Sequence, residues 1–148
     1  MLSNLGDVLK SKRSAVRTVG SKETVTAAVN AMAEQSIGAL PVVDNGGLVG
    51  IVSERDVLKR LVNNRLDPDT TKVADVMSAN PVTATRPMQV LEAMRLMSSK
   101  QFRHLPIVED GKLIGIVSLR DITDRIISEQ GENMNSMINA VKKMAARY

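Results

Sequence analysis

The chain has 148 residues, enough for one compact domain or for two small half-domains that share a core. It has no cysteine, one Phe, one Tyr and no Trp, which excludes disulfides, thiolate metal sites and a cysteine nucleophile and leaves the core to Val, Ile, Leu, Ala and Met. The net charge of +4 comes from scattered Lys and Arg; with hardly an aromatic to stack bases, it suits a basic pocket for a small anion at least as well as a nucleic-acid surface.

No run approaches the roughly 20 apolar residues that span a bilayer, and no apolar stretch with a cleavage site opens the chain. The expectation is a soluble, cytoplasmic protein with no membrane contact.

The first element is a short apolar lead, Leu5-Gly6-Asp7-Val8-Leu9, followed by an extended piece over residues 15–19. Val25, Ala28, Val29, Met32 and Ala33 then recur at the helical period, with Ser21 as the expected N-cap. Two β-branched runs, 40–43 and 48–52, flank Asp44-Asn45-Gly46-Gly47, a hairpin signal. A second helix is expected to open at Ser53, with Val57, Leu58, Leu61 and Val62 on its buried face.

Residues 63–71 are polar and turn-rich and read as a linker; the whole order then repeats. Val73-Ala74-Asp75-Val76-Met77 is the second lead, and residues 81–85 the second extended piece. Val90, Ala93, Met94 and Met97 mark a helix. Leu105-Pro106-Ile107-Val108-Glu109-Asp110-Gly111-Lys112-Leu113-Ile114-Gly115-Ile116-Val117-Ser118 repeats the first hairpin, and Ile122, Ile126 and Ile127 the buried face of its helix. The expected units are 5–62, the linker 63–71, 72–128 and a C-terminal helix 129–148. That last helix carries Met134, Met137, Ile138, Val141 and Met144 at helical spacing. It suits packing on its own domain and contact with a partner equally well, since Met adapts to imperfect surfaces.

The two copies match at Pro, Val, Gly, Leu, Gly, Ile, Val, Ser, Arg and Asp between Pro41 and Asp56 and between Pro106 and Asp121. The polar Ser-x-x-Asp ending is more than an apolar core requires. Ser53 and Ser118 lie where a buried strand passes into a helix, where unpaired N–H groups and the dipole favour an anion. Asp56 and Asp121 lie one turn on, where a carboxylate can accept from two vicinal ribose hydroxyls. Equally, each Ser can simply cap its helix and each Asp suit the dipole.

These tandem copies resemble a pair of CBS domains, the cystathionine-β-synthase-type regulatory module, and among them the small stand-alone bacterial pairs. The resemblance implies a mixed α/β (α+β) fold of two β-α-β-β-α half-domains about a pseudo-twofold axis. It also implies two clefts for adenosine nucleotides (AMP, ATP or NAD) and commonly a homodimer of stacked pairs. Function is then expected to be nucleotide sensing passed to an unidentified protein partner, without catalysis. A structural interaction module with empty clefts and a weak nucleic-acid binder are the alternatives.

Carried onto this sequence, the resemblance makes the clefts unequal. The Asp121 cleft takes Ser118, Ile116 and Arg120, with phosphate contacts from Arg103 and His104. Its adenine is expected against Lys12, Ala15 and Val16, with Gly38 allowing close approach. The Asp56 cleft takes Ser53, Ile51 and Arg55, with backbone near Asn80 and Val82 and with Phe102 and Arg103 nearby. It lacks the local basic pair, so the Asp121 cleft is the expected stronger phosphate site. His104 also suits a half-exposed strand residue without a ligand role, and Arg55 and Arg120 suit surface ion pairs with Glu54, Asp124 or Glu129. A single histidine without cysteine makes no ordinary zinc site, and no P-loop, His-Glu-x-x-His or Gly-x-Ser-x-Gly pattern is present.

Overall fold

The computed structural model describes residues 3–12 and 15–145. In the first copy the elements are α1 (Leu5–Ser11), α2 (Val25–Gln35), β1 (Ala39–Asp44), β2 (Gly47–Ser53) and α3 (Glu54–Asp56), which runs on as a π-helix over Val57–Val62. The second copy has α4 (Val73–Val76), β3 (Ser78–Ala79), α5 (Val90–Lys100), β4 (His104–Glu109), β5 (Lys112–Ser118) and α6 (Leu119–Ala145). Helix and strand are mixed, as the α+β reading expects.

The two hairpins form as the repeat implies. β1 pairs antiparallel with β2 and β4 with β5, each with a bulge at the same place, Val42/Val43 and Ile107/Val108. Asn45-Gly46 and Asp110-Gly111 all have positive φ (49° and 78°, 49° and 75°), the turn whose twist matches that of the flanking strands.

The extended pieces before the helices do not become strands. Val19 makes one parallel bridge to Val42, and Ala84 one to Ile107. Val19 and Ala84 donate to the carbonyls of Pro41 and Pro106 at 3.1 and 3.0 Å, but a proline has no N–H to extend the ladder. An unexpected strand, β3, instead adds to β2, pairing Ala79 with Gly50 and Ser78 with Ile51.

Local signals misplaced three features. The N-cap of α2 is Thr24, whose hydroxyl accepts from Ala27 N at 3.2 Å; the Ser21 N–H is bound to Asp44 Oδ1 at 2.9 Å. Leu58 and Val62 are 62% and 57% exposed because the segment winds with i→i+5 bonds, such as Asn63 N to Leu58 O at 3.0 Å, which leaves only Leu61 buried in it. Ile127 is likewise exposed, while Ile122 is fully buried. Helix α6 continues past residue 128 to Ala145 without a break. Residues 146–148, and the side chains of Met137, Val141 and Met144, lie outside the described residues.

The lead helices are exchanged between the copies. Leu5 and Val8 of α1 pack with Val90, Ala93, Met97, Leu105 and Ile107 of the second copy. Val73 and Val76 of α4 pack with Val25, Ala28, Leu40 and Val52 of the first. Two glycines admit this exchange. A Cβ at Gly115 would stand 2.5 Å from Leu9 Cδ2, and one at Gly50 would stand 2.6 Å from Met77 Sδ and 3.0 Å from the Ser78 carbonyl oxygen. Ser3 and Arg125 complete the attachment of α1, both bonding the Glu129 carboxylate of α6.

Gly50→Ala is therefore expected to lower unfolding free energy by about 1–3 kcal/mol in urea melts. Gly115→Ala should cost less, since it meets only the flexible end of Leu9. An equal or larger loss at Gly115 would contradict this packing.

Candidate functional site

The two Ser-x-x-Asp endings are reciprocal caps. Ser53 Oγ accepts from Asp56 N at 3.3 Å, and Asp56 Oδ2 accepts from Ser53 N at 2.9 Å. Ser118 Oγ accepts from Asp121 N at 3.1 Å, and Asp121 Oδ2 from Ser118 N at 2.8 Å. The next N–H groups, of Glu54 and Leu119, donate to Gly38 O and Arg103 O at 3.0 and 2.8 Å. So several donors expected to face a phosphate are used in the fold itself. The first cap holds its carboxylate at one end of a cleft between the copies.

Beside Asp56 is a cavity of about 480 Å³. The first copy supplies Gly38, Ile51, Ser53, Arg55 and Asp56 to its wall; the second supplies Asn80, Val82, Phe102, Arg103 and His104. Asp56 Oδ2 is committed to the cap. Its Oδ1 has only Ser78 Oγ at 3.4 Å and the Arg60 guanidinium at 4.0 Å, so it keeps capacity to accept.

The second cavity, about 320 Å³, is lined by Lys12, Ala15, Val16 and Ile116, as the sequence suggests. Asp121 and Ser118 do not line it. Lys12 Nζ lies on Asp121 Oδ2 at 2.8 Å and on the Ile116 carbonyl oxygen at 2.9 Å. Partial burial pushes the Asp121 carboxyl up, but the bonds from Lys12 and Ser118 together outweigh this and hold it below the ordinary aspartate range.

Arg103, expected near both clefts, and His104, expected at the Asp121 cleft, both line the Asp56 cavity. That cavity is the larger of the two, so the basic pair is not confined to the Asp121 side. The start of β4 lies beside Gly38. A Cβ on Gly38 would be 3.4 Å from the His104 ring and 3.6 Å from the Glu54 carboxyl carbon. His104 is half-buried there; desolvation pushes its pKa down, against the pull of the Glu54 and Asp121 charges. Arg120 reaches neither cavity wall and is paired with Asp124 at 3.9 Å on the open surface.

Some lining groups went unnoticed in the sequence, among them Lys100 and Glu54 in the first cavity and Lys10, Arg17, Gln35 and Arg86 in the second. The repeat itself carried the signal. Lys100 and Gln35 end equivalent helices, and each lines the cavity whose wall includes the second hairpin strand of the other copy. Among the described residues no group of His, Asp and Glu could hold a metal ion, and no helix is long and apolar enough to cross a membrane.

A family model described as the CBS domain matches residues 5–63 and 73–128. CBS domain-containing protein CBSX3, mitochondrial, of Arabidopsis thaliana is 34% identical over 144 residues, covering 91% of this chain and 70% of that protein. Another curated relative is longer: the chain spans 24% of CBSCBSPB5 of Arabidopsis thaliana, at 36% identity. A solved protein with CBS domains from Burkholderia ambifaria MC40-6 superposes with a TM-score of 0.82 at 35% identity, covering 86% of this chain and 96% of that one. CBSX2, solved in complex with AMP, gives 0.73 at 30% identity, with 86% and 98% covered. The CBS domain pair of MJ0100, solved with 5′-methylthioadenosine and S-adenosyl-L-methionine, gives 0.76 at 25% identity, with 87% and 99% covered. With both copies matched over most of its length, the chain belongs to the CBS-domain family as a tandem pair.

Proposed function

We propose that this CBS pair is a regulatory module that binds an adenosine nucleotide in the Asp56 cavity and passes its occupancy to a partner protein. The observation that carries the reading is the Asp56 carboxylate, held by its cap at the end of a cavity of about 480 Å³ with Oδ1 open to a ribose diol. That volume lies within the range of small-molecule sites. Ile51, Pro81, Val82 and Phe102 offer apolar surface for a base, and Arg55, Lys100, Arg103 and His104 offer donors for phosphate oxygens. The AMP complex of a similar structure supports the ligand class. AMP, ATP and NAD share the adenosine and differ in what lies beyond the first phosphate.

Mechanistically, the cavity wall is built from both copies, so a ligand there favours one arrangement of the halves over another. The shift in arrangement equals the ligand's difference in affinity between the two. None of the roles invoked is catalytic.

The second part of the proposal is a homodimer. Leu58 and Val62 are exposed on the first copy's last helix, and Ile127, Met134 and Ile138 on α6. Val62 and Ile127 are equivalent positions of the repeat. Exposed apolar residues at an equivalent position of both copies and along α6 suit a second copy of the chain.

Saturating AMP, at about 100 times its Kd, should raise the melting temperature of ligand-free protein by about 5–10 °C. Asp56→Asn should remove most of that rise while keeping the cap. No shift with AMP, ATP or NAD at millimolar concentration would refute nucleotide binding, and a shift untouched by Asp56→Asn would refute the assigned cavity. For the dimer, sedimentation should show two chains, with Ile127→Glu plus Met134→Glu giving one. A monomeric unaltered protein would refute that part alone.

A further inference from the structure

The two clefts differ in one respect that the repeat does not carry. Counted from Leu9 and Met77, which fill the same place against Gly115 and Gly50, Lys12 corresponds to Asn80. The neutral Asn80 leaves Asp56 in the wall of its cavity. Lys12 covers Asp121, and the wall of the second cavity contains Lys12 but not the carboxylate it holds. We propose that Lys12 is a built-in competitor for the Asp121 carboxylate and that it restricts the second cleft to nucleosides bearing a phosphate. This rests on the nucleotide-binding reading above and goes beyond it by assigning a selectivity to one residue.

A ribose diol that takes up Asp121 must displace Lys12 from both its acceptors, Asp121 Oδ2 at 2.8 Å and Ile116 O at 2.9 Å. The displaced group stays attached to a wall that also contains Lys10, Arg17 and Arg86 and, among the described residues, no carboxylate. Arg86 is paired with Glu109 at 3.3 Å; among the described residues no carboxylate of the wall itself is at hand for Lys12. A neutral nucleoside therefore strands a cation among like charges. A phosphate supplies the acceptors that Lys12 lost and also neutralises its neighbours, so the exchange of partners becomes nearly even. Ile37, Ile114 and Ile116 provide apolar surface for the base of either ligand, so the discrimination lies in the phosphate.

The test uses the full chain carrying Asp56→Asn, which mutes the other cleft, with AMP and adenosine titrated calorimetrically. With Lys12 present, AMP should bind at least about tenfold more tightly than adenosine. Lys12→Met should bring the two affinities within about threefold, chiefly by tightening adenosine, while Lys12→Arg should keep the discrimination. A gain in adenosine affinity is a result that general damage to the fold does not produce. An unchanged ratio in Lys12→Met, or AMP binding that survives Asp121→Ala in this background, overturns the proposal. If the unaltered protein binds AMP through Asp56 while the second cleft stays empty even in Lys12→Met, this inference alone fails. If no adenine nucleotide binds the unaltered protein at all, the functional reading fails with it.

Discussion

The exchange of lead helices between the copies is the constraint on which the rest of the molecule depends. Neither copy closes its own core: α1 fills the second and α4 the first. The exchange requires a backbone-to-side-chain approach that any Cβ at Gly50 or Gly115 would obstruct, so two glycines in the hairpins decide how the halves are joined. It also determines what stands at each cleft. The residues that follow a lead helix are delivered to the other copy's Ser-x-x-Asp corner, which is how Lys12 comes to Asp121 and Asn80 to the Asp56 cavity.

At that corner one carboxylate serves two purposes with two oxygens. Oδ2 of each Asp closes the helix cap, a role that fixes its position and uses donors otherwise open to a ligand. The Oδ1 of Asp56 is left nearly free, and that separation allows a structural residue to present an acceptor to a cleft. The same economy explains why the motif is kept in both copies even though the two surroundings have diverged. At Asp56 the surroundings are neutral amide, apolar surface and a basic rim; at Asp121 they are a lysine that occupies the carboxylate.

Much of this was legible in the chain. The hairpins, their turns at Asn45-Gly46 and Asp110-Gly111, the α2 and α5 helices and the capped corners all follow from local rules that act within a few residues. What lay beyond reach was tertiary. Apolar periodicity marks α1 and α4 as buried but says nothing of which core receives them, and it gives no sign that His104 stands in the wall of the Asp56 cavity as well as within the field of Asp121. The π-helix that exposes Leu58 and Val62 depends on one extra residue per turn, which a 3.6-residue pattern cannot register. Lys12 was noticed as a neighbour of the second cleft, but its bond to Asp121 needed coordinates.

The central claim, two clefts made unequal by the residue that each lead segment delivers, is tested most directly by a crystal structure of the full chain at an AMP concentration that fills one site per chain. The account predicts the nucleotide in the cavity beside Asp56, its ribose on Oδ1, with the Lys12–Asp121 pair intact in the same molecule. Nucleotide bound first at Asp121, with Lys12 displaced and the Asp56 cavity empty, would contradict it.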